Sequence, residues 1–167
     1  MTQRLAPGQL VRLNIAVLNR GCIRRHLDPR LQSGTIVTTM SVRKQIVKPA
    51  NSPPAVGPYN AAVRAGELLF CSGQIPIDPA TNNLVAGDIR VQTERVLENV
   101  KLILQDQRLD FANVIKSTVF LTDLANFTAM NEVYARYFTG DFPARSTVQV
   151  AALPKGAQIE IEVVAQY

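Results

Sequence analysis

The sequence predicts an α+β domain, a sheet with two helices packed on one of its faces, and three observations carry that reading. Two long stretches repeat apolar residues at helical spacing, several short stretches alternate apolar and polar residues at the period of a strand, and Gly, Pro, Asn or Asp punctuates the joints. The order is two or three strands, a helix, a strand, a helix and two strands, so both helices are available to one sheet face and the other face stays open unless a partner subunit covers it.

The elements follow from the residues in turn. Residues 45–48 and 61–64 have the make-up of short strands flanking a loop rich in Pro and Asn, from Pro49 to Tyr59. Arg64, Ala65, Gly66 and Glu67 form a tight turn into a strand over 68–72. A second loop holds Asp78, Pro79, Asn82, Asn83 and Gly87. Asp88 then offers its carboxylate as an N-cap, and Ile89, Val96, Leu97, Val100, Ile103 and Leu104 share one face of a helix reaching about Gln107. Residues 114–121 are β-branched and aromatic enough for a strand. Asn126 is placed to cap a second helix whose stripe, Phe127, Met130, Val133, Tyr134, Tyr137 and Phe138, reads as core packing against the sheet and not as an aromatic ligand platform.

The last two strands carry the ionisable groups. At period two, Arg145, Thr147 and Gln149 share one face and Ser146, Val148 and Val150 the other, while Glu160 and Glu162 oppose Ile159, Ile161 and Val163. Leu153, Pro154, Lys155 and Gly156 suit an antiparallel return between them. On this reading Arg145 and Glu160 face one cavity on the open side of the sheet. Arginine grips a carboxylate through two parallel hydrogen bonds and a nearby glutamate positions or activates water, a pairing suited to a small carboxylate substrate attacked by water; an ordinary polar sheet surface shows the same alternation.

Composition excludes several alternatives. The 167 residues, 47% hydrophobic, make one domain large enough for a real core, and no apolar run approaches a membrane span. The net charge of +5 comes from six arginines against Asp28 before Met40, leaving the rest of the chain neutral and without a bulk-charge argument for nucleic acid. The only histidine, His26, and Cys22 lie in that same leader. The remainder has Cys71 and no histidine, which removes histidine-dependent triads, His-ligated zinc and an internal disulfide; Cys71, in an apolar strand, reads as a small buried hydrophobe. Residues 1–39 are read as a basic, poorly ordered leader, a mis-assigned start ahead of Met40, an Arg-rich presequence or a binding arm, with residues 40–167 as the domain. The expected location is cytoplasmic, or an organelle matrix if the leader is a presequence.

Five strings in order, AVGPY at 55–59, FCSGQIP at 70–76, VIKSTVFLTDL at 114–124, FPARS at 142–146 and LPKGAQIEIEVVA at 153–165, strongly resemble the Rid/YjgF family of enamine/imine deaminases. The resemblance implies a chorismate-mutase-like α+β fold assembled as a homotrimer with clefts between subunits, and hydrolysis of 2-imino or 2-enamino acids to 2-keto acids without metal or bound cofactor. It implies that Arg145 grips the substrate carboxylate, Glu160 positions water, Tyr59 closes the cleft, and Ser72 and Gly73 line it. The resemblance also implies that Asn131 stands near the neighbouring pocket wall, though on sequence it is equally a solvated helix position. A cysteine found in many bacterial members is Thr147 here, which argues against thiol chemistry and leaves position 147 to act through its backbone and to shape substrate preference. The family has also been given an endoribonuclease or translation-inhibitor role, and a non-catalytic trimer binding small carboxylates is the other alternative.

Overall fold

Which strands take the centre of the sheet is decided by how many of their faces are greasy. In the computed structural model, which describes residues 43–53 and 57–167, the elements are β1 (Lys44–Val47), β2 (Ala62–Ala65), β3 (Leu68–Gln74), α1 (Ile89–Asp106), β4 (Val114–Leu121), α2 (Phe127–Tyr137), β5 (Ala144–Gln149) and β6 (Ile159–Gln166). They form one six-stranded sheet in the order β1-β2-β3-β6-β4-β5. The leader expected at 1–39 and the middle of the first loop lie outside the described residues.

Ile159, Ile161, Val163 and Ala165 are all buried, so β6 sits in the middle, antiparallel to β3 on one side and β4 on the other. Strand β5 has no buried residue on either face and takes the edge, parallel to β4 across the α2 connection. The expected antiparallel return of β5 onto β6 is therefore corrected: β4 lies between them. Local geometry suited a hairpin, but the more apolar β6 gains more from two covered neighbours than from pairing with an exposed strand.

Both helices cover one face, as the sequence predicts. Val96, Leu97, Val100, Ile103 and Leu104 of α1 are fully buried with Val119, Leu121, Ile159 and Ile161 of the sheet, each large side chain stabilising the fold by about 1.5–3 kcal/mol. Asp88 caps α1, its Oδ1 accepting from the backbone N–H of Arg90 at 3.0 Å and of Val91 at 3.1 Å. Asn126 does not cap α2. Its backbone is already helical, and the capping carboxylate is Asp123, which accepts from Ala125 N–H at the head of a 3₁₀ turn, Leu124–Asn126, that runs into α2. The turn thus begins one acceptor earlier than the apolar periodicity indicates.

The loop after β3 is fastened from α1. Buried Asn99 donates through Nδ2 to the carbonyls of Ile75 and Ile77, at 3.2 and 2.8 Å. Gln92 donates to the Val85 carbonyl and accepts from Gln158 N–H, which fixes the entry to β6. These bonds fix the segment that leaves β3 and the one that enters β6, next to the residues expected at the site.

Candidate functional site

The sheet separates two groups of residues. Strand pairing aligns Ser117 with Arg145 and with Val163, and Val119 with Thr147 and with Ile161, so Arg145 and Thr147 belong to the helix-covered face. Glu160 aligns with Phe120 and Glu162 with Thr118, on the open face. Arg145 and Glu160 therefore do not face one cavity within a protomer, contrary to the expectation from the two strand patterns. The reason is the parallel crossover: with β4 inserted and β5 at the edge, the residues of β5 that turn toward α2 are the polar set, and the edge position exposes Ser146 and Val148 on the opposite face.

Glu160 is joined to Ser72 and Gly73 at the end of β3. The β3–β6 register slips between Cys71 and Gln74, a bulge that sets Ser72 and Gly73 out of the regular ladder. A Cβ on Gly73 would stand 1.8 Å from Glu160 Oε1 and 2.7 Å from its carboxyl carbon, so the missing side chain is the space the carboxylate occupies. Ser72 Oγ donates to the Asn60 carbonyl at 2.7 Å, and Ser72 N–H donates to the Ala61 carbonyl at 2.9 Å, which ties the loop bearing Tyr59 to this corner. Tyr59 is about half exposed at 46% and rests on Gly57 through its backbone N–H. Burial, and after it the charge of Glu162, push the Glu160 carboxyl above the ordinary carboxylate range; Arg145, the opposing influence expected from sequence, has no part in it.

On the other face the Arg145 guanidinium carbon lies 4.6 Å from the centre of the Tyr134 ring and 5.7 Å from that of Phe127. Among the described residues the ion pairs are Arg64 with Glu67, Arg90 with Glu132 and Lys101 with Glu98, none of which involves Arg145. Thr147, two residues further along the same face, has a buried hydroxyl with no hydrogen-bond partner among the described residues. Asn131 is half-buried on α2. The sequence reading missed Tyr134: its place in an aromatic stripe spoke only of packing, although a tyrosine among phenylalanines carries a hydroxyl that must find a partner when buried.

Two further features lie apart from these groups. A shallow hollow of about 180 Å³ on the open face is lined by Phe70, Lys116, Thr118, Glu162 and Val164 and includes none of the expected site residues. Cys71 is buried and its thiol is pushed up to about 12, so it is inert as a nucleophile, in keeping with its reading as a small hydrophobe.

Comparison with known proteins adds the wider context. A family model described as Endoribonuclease L-PSP matches residues 49–167. Protein DfrA of Myxococcus xanthus is 55% identical over 116 residues, covering 68% of this chain and 88% of its own. The 2-iminobutanoate/2-iminopropanoate deaminase of Homo sapiens is 44% identical over 125 residues, covering 75% and 91%. The crystal structure of E. coli TdcF with bound serine superposes with a TM-score of 0.70 at 43% identity, covering 74% of this chain and 98% of that one.

Proposed function

The chain belongs to the Rid/YjgF family, the family of the Endoribonuclease L-PSP model, and from that premise we propose that it hydrolyses reactive 2-imino and 2-enamino acids to 2-keto acids and ammonia. The observation that carries the reading is the Arg145 guanidinium, held by aromatic rings with no ion-pair partner among the described residues and so available to take a substrate carboxylate in a two-point grip. The same chemistry is implied by a human relative named 2-iminobutanoate/2-iminopropanoate deaminase, and TdcF holds serine, a small amino acid with a carboxylate.

Because Arg145 and Glu160 lie on opposite faces of one sheet, the working site in this proposal is composed at a seam between protomers of a homotrimer, one supplying Arg145 and Thr147 and its neighbour supplying Tyr59, Ser72, Gly73 and Glu160. A stable monomer in sedimentation would remove this arrangement.

The reaction needs few parts. Arg145 fixes the carboxylate beside C2, Glu160 takes a proton from water, and the oxygen adds to C2 as the C=N π pair moves to nitrogen. Glu160 gives that proton to nitrogen to complete the tetrahedral carbinolamine; the hydroxyl proton then passes by way of Glu160 to nitrogen, the C–N bond breaks with its electron pair leaving on ammonia, and C2 becomes the carbonyl of pyruvate or 2-oxobutanoate. The imine is already electrophilic, so orientation supplies much of the acceleration and neither metal nor bound cofactor enters the scheme. Removal of such imines protects pyridoxal-phosphate enzymes from them.

No helix among the described residues is long and apolar enough to cross a membrane. We place the protein in the cytoplasm, or in an organelle matrix if residues 1–39 act as a presequence. Ribonuclease action is the weaker reading, since the chain from Met40 onward is neutral and without histidine.

The test is keto-acid release while a pyridoxal-phosphate dehydratase generates 2-aminoacrylate from serine, with semicarbazide trapping the imine that escapes. Wild type is expected to outrun the trap and Arg145→Ala to fail. A folded wild type that never beats the trap makes the chain a carboxylate-binding member, and RNA cleavage that survives Arg145→Ala revives the ribonuclease.

A further inference from the structure

Arg145 is supported from beneath by an aromatic stack that is itself pinned to the sheet. The Tyr134 ring is only 4% exposed; Phe138 stacks on it at 4.2 Å and 16°, and Phe111 meets Phe138 edge-on at 4.9 Å. The Tyr134 hydroxyl and Ser117 Oγ share a buried hydrogen bond of 2.7 Å. Ser117 is also the residue aligned with Arg145 across the β4–β5 pairing. One rung of the sheet therefore supplies both the hydroxyl that anchors the ring and the arginine that lies over it.

This arrangement solves a conflict in holding a binding arginine. A carboxylate partner would fix the guanidinium but would neutralise its charge and occupy the N–H groups that a substrate carboxylate needs. A ring face attracts the cation through its quadrupole, a contact of about 0.5–2 kcal/mol depending on desolvation, and the Tyr134 hydroxyl, a neutral acceptor, takes a side-chain hydrogen bond from Arg145 without neutralising its charge. Tyrosine has an advantage over phenylalanine here, because its hydroxyl gives the ring a fixed point on Ser117 and hence a fixed plane for the guanidinium to rest on.

We propose that Tyr134, anchored by Ser117, is the positioning residue for Arg145, setting the guanidinium in the orientation that meets a substrate carboxylate. The inference rests on the reading of Arg145 as the carboxylate grip. It does not place Tyr134 in contact with substrate.

The full chain is titrated with pyruvate, the product keto acid, by calorimetry, and its turnover of 2-aminoacrylate is measured alongside. Tyr134→Met, which fills the volume without a ring face, is expected to weaken pyruvate binding and raise KM about 10-fold with kcat within about 3-fold, because a grip made equally in ground and transition states appears in KM. Tyr134→Phe and Ser117→Ala both remove the Ser117 bond, and Tyr134→Phe also removes the bond between its hydroxyl and Arg145, so intermediate losses of about 2- to 4-fold are expected, with that of Tyr134→Phe at least as large as that of Ser117→Ala. Unchanged binding in folded Tyr134→Met overturns the proposal, as does Tyr134→Phe matching Tyr134→Met. If Tyr134→Met does not fold, the other pair decides, and unchanged binding in both overturns it. Wild type that binds pyruvate without turnover sinks the deaminase reading and leaves this inference supported or refuted by the binding series; wild type that binds no pyruvate sinks both.

Discussion

Glu160 Oε1 occupies the space that a side chain on Gly73 would fill, 1.8 Å from where the Cβ would stand. Glycine there sets the position of the carboxylate, because any larger residue meets the far end of a mobile side chain and moves it. Gly73→Ala is expected to lower kcat/KM by about 100-fold, the scale at which a displacement of about 1 Å is felt, with little change in melting temperature. A variant that keeps full activity would show that Glu160 need not sit where it does.

The pH behaviour of Glu160 has two signs. Burial and Glu162 raise its pKa in the folded protein, so the native state holds this proton more tightly than the unfolded chain does. The resulting stability is present at low pH and is lost as pH climbs from the unfolded carboxylate range through the folded value. Activity runs the other way if Glu160 acts as a base, since it works only when ionised. Glu162→Gln is expected to move the acid limb of kcat/KM down by removing a like charge from beside Glu160. A limb that Glu162→Gln leaves in place would assign it to another group.

Arg145→Lys tests geometry separately from charge. Lysine keeps the cation but loses the planar fork, and with no ion pair to Arg145 among the described residues the substitution is expected to leave thermal stability within about 0.5 kcal/mol. KM for the imine is expected to rise about 10-fold or more. Wild-type KM in the lysine variant would mean that a point charge suffices and that the two-point grip is wrong.

Thr147 separates stability from assembly. Its hydroxyl is buried without a partner among the described residues, so Thr147→Val, which keeps the shape, is expected to be neutral or to stabilise the protein by up to about 1 kcal/mol. Chemical denaturation measures this. A clear loss of stability would show that a neighbouring protomer supplies the missing partner.

Sequence patterns revealed what is local. The strand Val114–Leu121, the helix from Ile89 and its Asp88 cap follow from residues within a few positions of one another. The sidedness of β5 was hidden because an edge strand is exposed on both faces, so the alternation of Arg145, Ser146, Thr147 and Val148 does not report which face meets the helices. Pairing of β5 with β4 through α2, and not with β6 through the nearby Pro154–Gly156 turn, depends on the competition for central positions in the sheet. Strand alternation singled out Arg145 and Glu160 and the family resemblance lent them roles, while Tyr134 stayed concealed because one apolar stripe serves both the core and the arginine.

Strand β6 is the second neighbour of both β3 and β4, and it brings Leu68 into register with Gln166. Until it docks, those two strands have open edges and the apolar face beneath α1 is incomplete. Contacts this distant along the chain are slow to form, because the loop between them must close before any pairing rewards it. The half-built sheet is then the state most open to association with other chains, so dilute, slow refolding will recover more protein than concentrated refolding, and substitutions that weaken β6 will lower yield before they lower the stability of what has folded.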